Sequence, residues 1–191
     1  TKRIMKKIAL SFLICILCSV NAFSQYSYDI VDFSQQLSTD TEKIYVVKKD
    51  TLKLIQISNS KLEISGNKYE ASEEDVVITP KVYYNSKLKT FILLLDKKVD
   101  YSIGCDVVSI KNGNYQYLGE LSVAAYTKGE DGRMNYNSIS PFVSIVKVSD
   151  RIIFSFETPL VVIYPGMSEE ATLNGRDVYY TYSKSKLQLF K

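Results

Sequence analysis

The chain has 191 residues, with 24 Lys and Arg against 21 Asp and Glu, and it contains 15 Tyr but neither His nor Trp. Without histidine, Ser-His and Cys-His nucleophile pairs, histidine general bases and His-containing zinc sites are excluded. The sequence also lacks a Walker glycine loop and a Gly-x-Gly-x-x-Gly motif. We therefore expect no metal site, no cofactor and no catalytic residue of these common types.

Residues 1–24 have the pattern of a cleavable secretory signal. Lys6 and Lys7 precede an uncharged, largely apolar run over residues 8–20. That run is shorter than the roughly 20 residues that a transmembrane helix needs. A membrane anchor and a buried helix are the alternatives, but we expect an exported, periplasmic or extracellular protein without a transmembrane segment in its mature chain.

The expected cleavage follows Ser24 and leaves Gln25 first, because Ala22 and Ser24 place small side chains at −3 and −1. Met5 begins a cleaner signal than Thr1 does, so we interpret residues 1–4 as an upstream extension of the reading frame. The ending Phe23-Ser24-Gln25 resembles the leaders of Bacteroidetes-type bacteria, whose exported proteins often begin with Gln.

Lipid attachment at Cys18 is an alternative to simple cleavage. A lipobox has a small residue before its cysteine, whereas Leu17 precedes Cys18 and Ile14 precedes Cys15. Ordinary cleavage fits better, and the domain then spans residues 25–191 with 20 basic and 21 acidic residues. A net charge of −1, with scattered charges, gives no field that attracts nucleic acid. Cys105 is the single remaining cysteine, and its apolar neighbours predict a buried thiol without a disulfide.

Alternating apolar and polar residues predict β-strands through most of this domain. Residues 90–95 are apolar on both faces, which favours a central strand. Residues 115–125 alternate over a long stretch with Gly119 in the middle, where we expect a bulge or a bend. Residues 151–157 alternate as a half-buried strand.

Turn signals separate the predicted strands. Asn112-Gly113 is the clearest hairpin signal, since both residue types tolerate the positive φ of a type I′ turn. Ser149-Asp150 indicates a second hairpin, and Tyr164-Pro165-Gly166-Met167 fits a type II turn. Helical turns are expected only near residues 33–37 and 72–75. About ten to twelve strands with short connections predict one all-β domain, an antiparallel β-sandwich or barrel-like meander with little helix.

Residues 127–137 form the longest polar gap, which we interpret as a loop between strands. Its acidic stretch at Glu130 and Asp131 could offer oxygen ligands to calcium, but it lacks the alternating acids and terminal Glu of an EF-hand. A solvated loop is the better interpretation.

The tyrosines suggest a recognition surface. Tyr83-Tyr84 and the run Val178-Tyr179-Tyr180-Thr181-Tyr182 divide their rings between opposite faces of a strand. If one face is core, the other exposes rings, and tyrosine provides a rigid contact area with a polar tip. The candidate binding residues are Tyr83, Asp131, Tyr179 and Tyr182. The alternative is that tyrosine is abundant here only because it has a high β propensity.

Three functions remain open. The first is an exported, non-catalytic binding protein of the bacterial envelope, of an inhibitor or immunity type, with a protein or glycan partner. The second is a glycan hydrolase that uses two carboxylates. The third is a structural envelope component. Nothing in the sequence ranks one pair of acids above another, so no catalytic residue is assigned.

Overall fold

The computed structural model describes residues 25–31, 39–73, 75–129 and 132–191. Short 3₁₀ helices span Ser140–Phe142 and Gly175–Asp177. The described strands, in chain order, are β1 (Gln25–Ser27), β2 (Asp29–Ile30), β3 (Glu42–Val47), β4 (Asp50–Ser58), β5 (Lys61–Ile64), β6 (Asn67–Glu70), β7 (Val77–Asn85), β8 (Thr90–Lys98), β9 (Ser102–Lys111), β10 (Asn114–Leu121), β11 (Val123–Lys128), β12 (Met134–Asn137), β13 (Val143–Val148), β14 (Arg151–Phe156), β15 (Leu160–Ile163), β16 (Ala171–Asn174), β17 (Tyr179–Ser183) and β18 (Lys186–Phe190).

The predicted all-β antiparallel architecture is confirmed. The strands form four antiparallel sheets, which we name the central sheet (order β10-β9-β8-β7-β2), the meander (β3-β4-β5-β6), the C-terminal sheet (β1-β13-β14-β17-β18) and the small sheet (β12-β11-β15-β16). No helix among the residues described is long and apolar enough to cross a membrane. The predicted leader and the helical turn at residues 33–37 lie outside the described residues.

The central sheet is covered on both faces, which explains the apolar run in β8. Alternate residues such as Leu93 and Leu95 pack with the meander in one hydrophobic core. Their neighbours Ile92 and Leu94 belong to a second core, shared with the C-terminal and small sheets. All four side chains are fully buried. The molecule is therefore layered, with the central sheet between two cores.

The expectation that one ring of Tyr83-Tyr84 is exposed is wrong, because both faces of the central sheet are covered. Tyr83 is 1% exposed in the core on the C-terminal side, and Tyr84 is 3% exposed in the core beneath the meander. The sequence pattern assigned the rings to opposite faces correctly but could not show that both faces are covered. Cys105 is buried and free, as predicted.

The predicted turns are largely confirmed. Asn112 and Gly113 take φ values of +51° and +77° between β9 and β10, as a type I′ hairpin requires. The pairing of β10 with β9 shifts register between Tyr117 and Gly119, which confirms the bulge. The Ser149-Asp150 hairpin joins β13 to β14. The backbone N–H of Met167 donates to Tyr164 O at 2.9 Å, closing the predicted turn.

Two local expectations are corrected. The predicted loop over residues 127–137 is mostly a hairpin, because β11 extends to Lys128 and β12 starts at Met134. Lys128 pairs with Met134 and Thr127 pairs with Asn135, so polar residues continue the ladder. Residues 72, 73 and 75 are not helical in the structure.

Candidate functional site

Three tyrosines meet where hairpins of the central and small sheets end. Tyr101 lies in the connection from β8 to β9, and Tyr126 and Tyr136 are directly paired residues of β11 and β12. The ring centroids of Tyr101 and Tyr136 are 5.6 Å apart at 88°, and those of Tyr126 and Tyr136 are 5.5 Å apart at 67°. These edge-to-face contacts are the geometry that aromatic rings prefer.

Two methionines flank the three rings. Met134 lies two residues before Tyr136, on the same face of β12, and is 39% exposed. Met167 ends the turn that packs beside Tyr101 and is 55% exposed. Tyr101 itself is 38% exposed. We call Tyr101, Tyr126, Met134, Tyr136 and Met167 the tyrosine patch.

A carboxylate fixes this patch to a third hairpin, the connection from β15 to β16. Tyr136 Oη donates to Glu170 Oε1 at 2.6 Å, and the Gly166 backbone N–H donates to Glu170 Oε2 at 2.6 Å. The hydrogen bond to Glu170, with a smaller contribution from burial, raises the pKa of Tyr136 to about 12. The same bonds from Tyr136 and Gly166 lower the pKa of Glu170. A neutral phenol and an ionised carboxylate therefore hold two hairpins together.

Gly166 allows the turn to approach the ring of Tyr101. Its φ is +77°, and a Cβ placed there would lie 2.3 Å from Tyr101 Oη. A larger residue would both strain the backbone and displace the ring. Through Tyr101, Tyr136 and Glu170, the ends of three hairpins form one connected surface.

The structure does not bring Tyr83, Tyr179 and Tyr182 together on one surface. Tyr83 is interior and donates to Ser140 O at 2.6 Å, so it cannot be part of a surface. Tyr179 is 39% exposed and stacks on Phe190, with centroids 5.1 Å apart. Tyr182 is half-buried on the other face of β17. Asp131 lies outside the described residues.

Sequence reasoning missed the tyrosine patch because its members are far apart along the chain. A usable signal is present for two of them, since Tyr126 directly precedes the predicted loop over residues 127–137 and Tyr136 lies near its end. Extending the flanking strands by a few residues would have paired these rings. Nothing in the sequence links Tyr101 or Glu170 to that pair.

A second polar cluster surrounds a buried lysine at the edge of the meander-side core. Lys97 is 2% exposed, and its Nζ lies 2.6 Å from Glu73 Oε1, 3.0 Å from Glu120 Oε1 and 3.9 Å from Asp106 Oδ1. Tyr69 and Tyr117 donate hydroxyl hydrogen bonds to Asp106, the latter at 2.8 Å. We call these six residues the lysine cluster.

The charges of the lysine cluster are mutually stabilised. Burial alone would lower the pKa of Lys97, but its hydrogen bond to Glu73 and the nearby Asp106 and Glu120 raise it. Burial alone would raise the pKa of Glu73, but bonding to Lys97 and to backbone outweighs it and lowers the pKa. Burial, then hydrogen bonding to Asp106, raises the pKa of both Tyr69 and Tyr117. The cluster therefore holds the Lys97 ammonium and the ionised Glu73 as a structural ion pair, with Asp106 and Glu120 beside Lys97.

Among the described carboxyl groups, no carboxylic acid of raised pKa lies beside an ionised carboxylate on an accessible surface. A glycosidase needs a protonated acid of raised pKa beside an ionised partner. Asp96 has its pKa raised to about 6 by burial, but its side chain is 3% exposed. It also faces Ser140, on the opposite side of β8 from Lys97. Among the described residues, no group of three or more His, Cys, Asp or Glu is arranged to hold a metal ion.

Comparison with known proteins gives no match: no protein-family model, no curated protein and no solved structure is similar to this chain. The class that the fold and the site define is a layered, all-β antiparallel protein with an ordered tyrosine and methionine surface at its hairpin ends.

Proposed function

We propose that this chain is an exported, non-catalytic binding protein of the bacterial envelope, and that it recognises another protein through the tyrosine patch. The observation that carries the proposal is the connected, partly exposed arrangement of Tyr101, Tyr126 and Tyr136 between two exposed methionines. Tyrosine and methionine are enriched at the buried centres of protein interfaces. Export rests on the leader pattern of residues 1–24.

The order of the patch supports recognition with little conformational cost. Glu170 bonds to both Tyr136 and Gly166, and Tyr101 packs against Tyr136 as well as the Gly166 turn. Side chains that are already held in place lose less entropy when a partner covers them. The tyrosine patch presents tyrosine rings together with flexible methionine thioethers, and such a surface can pack against the side chains of another protein.

A protein partner is favoured over a glycan partner. The chain has no Trp, the residue with the largest aromatic face, and the patch rings meet edge to face. The exposed methionines add apolar area that a hydroxyl-rich sugar would not use. The alternative function is glycan hydrolysis by two carboxyl groups. The described geometry does not support it, because Asp96 and the lysine cluster face opposite sides of β8.

Capture from a bacterial envelope fraction, with mass spectrometry to identify the captured protein, tests the proposal. Tyr101→Ala combined with Met167→Ser should weaken binding by roughly 30-fold or more, the loss expected at an interface hot spot. Tyr179→Ala is the matched control, since Tyr179 is 39% exposed and Tyr101 is 38% exposed.

The outcomes separate the candidate surfaces. Loss of a defined partner with the patch variant alone supports the proposal. Equal loss with Tyr179→Ala would favour the surface expected from the sequence. Retained binding in the patch variant, or release of the bound material by glycosidases, would contradict the patch as a protein-binding site.

A further inference from the structure

A crevice opens between the central and C-terminal sheets, at the end of β8 opposite the tyrosine patch. Its volume is about 170 Å³. Thr90, Ser109 and Lys111 line it from the central sheet, while Lys147, Ile152 and Tyr182 line it from the C-terminal sheet. The pairings of Lys147 with Ile152 and of Ile152 with Tyr182 place these three side chains in one row across the inner face.

The crevice carries unpaired positive charge. Lys111 and Lys147 form no ion pair with any described residue. Asp150 lies on the same rim and offsets one of the two charges, but neither lysine is within ion-pair distance of it. The crevice walls therefore keep a net positive charge.

A hydrogen bond spans the crevice and orients its donors. Gln116 Nε2 donates to Tyr182 Oη at 2.8 Å, which joins the two sheets and leaves the Tyr182 proton free to donate. Ser109 adds a hydroxyl that is largely buried at the base. Tyr28, Leu118 and Ile152 provide buried apolar surface beneath these groups. Donors and cations thus surround an apolar floor.

We propose that this crevice binds a small organic carboxylate whose body is apolar. The ammonium groups of Lys111 and Lys147, with the Tyr182 hydroxyl, would hold the carboxylate by charge-assisted hydrogen bonds. The apolar floor would cover the body of the ligand. A volume near 170 Å³ is below the usual range of about 300–1,000 Å³ for drug-sized ligands, so the occupant is a smaller molecule.

The crevice is independent of the proposed protein-binding surface. Thr90 starts β8 and lines the crevice, whereas Tyr101 follows the far end of that strand. A strand of this length spans roughly 25–30 Å, at about 3.3 Å per residue. Failure of either proposal therefore leaves the other intact.

Titration of the protein with benzoate at pH 7, followed by ¹H–¹⁵N NMR, tests the site. We expect saturable shifts at Gln116 and Tyr182. Lys111→Met and Lys147→Met should each weaken benzoate binding by roughly tenfold, the loss expected for one charge-assisted hydrogen bond. Lys68→Met is the matched control, since Lys68 is an exposed lysine of β6 in the meander and makes the same change in net charge.

Two further probes define the ligand class. Benzyl alcohol has a similar apolar body without charge, and inorganic phosphate has charge without the body. Preferential binding of benzoate over both supports the proposal. Equal binding of benzyl alcohol, binding of phosphate alone, no saturable benzoate shift, or equal weakening by Lys68→Met would each overturn it. Tyr182→Phe keeps the ring, so loss of benzoate affinity in that variant supports the hydroxyl as a ligand contact, and unchanged affinity removes it from the site.

Discussion

Asp96 is the residue at which burial and charge oppose each other most directly. Its side chain is 3% exposed, one carboxylate oxygen accepts a hydrogen bond from Ser140, and the other has no partner among the described residues. Burial raises the pKa of Asp96 to about 6, even though Ser140 and Lys81 favour the charged form. The ionised carboxyl is thus costly in the folded state.

This burial predicts a particular pH dependence. An acid whose pKa is higher in the folded state binds a proton more tightly there, so its contribution to stability falls as pH rises from about 4 to about 6. The side chain in Asp96→Asn cannot ionise, so this substitution removes the decrease in stability with rising pH. Relative to the wild type, the variant should gain roughly 2 kcal/mol in free energy of unfolding between pH 4.5 and pH 7.5. Urea denaturation at both pH values measures this gain, and a pH-independent difference would contradict it.

Lys97 differs from Asp96 because its buried charge lies beside carboxylates of opposite charge. Lys97→Met would leave Glu73, Asp106 and Glu120 facing one another without a cation. We expect a loss of roughly 3 kcal/mol in free energy of unfolding at pH 7, at the lower end for a broken buried ion pair because two of the acids are partly exposed. Despite its burial, Glu73 has its pKa lowered by bonding to Lys97, so this stabilisation disappears once Glu73 is protonated and the loss should shrink at acidic pH.

Lys61→Met is the control for that experiment. Lys61 pairs with Glu70 at 2.8 Å, but both side chains are largely exposed. Removing an exposed ion pair should change the free energy of unfolding by less than about 1 kcal/mol. Similar losses for the two variants in urea denaturation would show that the lysine cluster is not a buried ion-pair network.

At the scale of the element, the β10 bulge joins the central sheet to the C-terminal sheet. Gly119 has a φ of +130°, and a Cβ there would lie 3.0 Å from Leu187 Cβ on β18. Gly119→Ala should therefore cost roughly 2 kcal/mol in stability through backbone strain and crowding. Thermal or urea unfolding measures this cost.

Two controls distinguish crowding from strain. Gly113→Ala also introduces a side chain at positive φ, but its Cβ would meet nothing within 4 Å, so the cost should be roughly 1 kcal/mol. Leu187→Ala combined with Gly119→Ala should cost less than the sum of the single changes. Equal costs at Gly113 and Gly119, with full additivity, would refute close packing of β10 on β18.

Strands and hairpins are the features that the sequence predicts best. Period-two alternation identified β14, and Asn112-Gly113 identified the β9–β10 hairpin, because both signals are local. Local composition predicts a loop where the β11–β12 hairpin lies, because polar residues such as Thr127 and Asn135 occupy paired positions there. Their pairing depends on the neighbouring strand, which local composition does not describe.

At the scale of the whole molecule, sequence could not predict the second covered face of the central sheet. The Tyr83-Tyr84 alternation is the same whether one face or both faces are packed. The tyrosine patch was missed for a related reason, since Tyr101 and Glu170 join it through tertiary contacts rather than spacing. Long-range packing therefore determines both the exposed surface and the candidate site.

We propose that the protein is exported and that its mature chain begins at Gln25, because Ala22 and Ser24 fit the cleavage positions. N-terminal sequencing with intact-mass measurement on protein recovered outside the cytoplasm determines the start. A mature chain that retains Met5, or one that begins at a lipid-modified Cys18, would be inconsistent with this cleavage.

Photo-crosslinking in cells tests the central proposal most directly, with a photoreactive amino acid placed at position 101 or at position 179. Both side chains have nearly equal exposure, 38% and 39%, so the comparison isolates location. We expect position 101 to form an adduct with one identifiable envelope protein and position 179 to form none. No adduct from position 101, equal adducts from both positions, or adducts only with a second copy of this chain would contradict it.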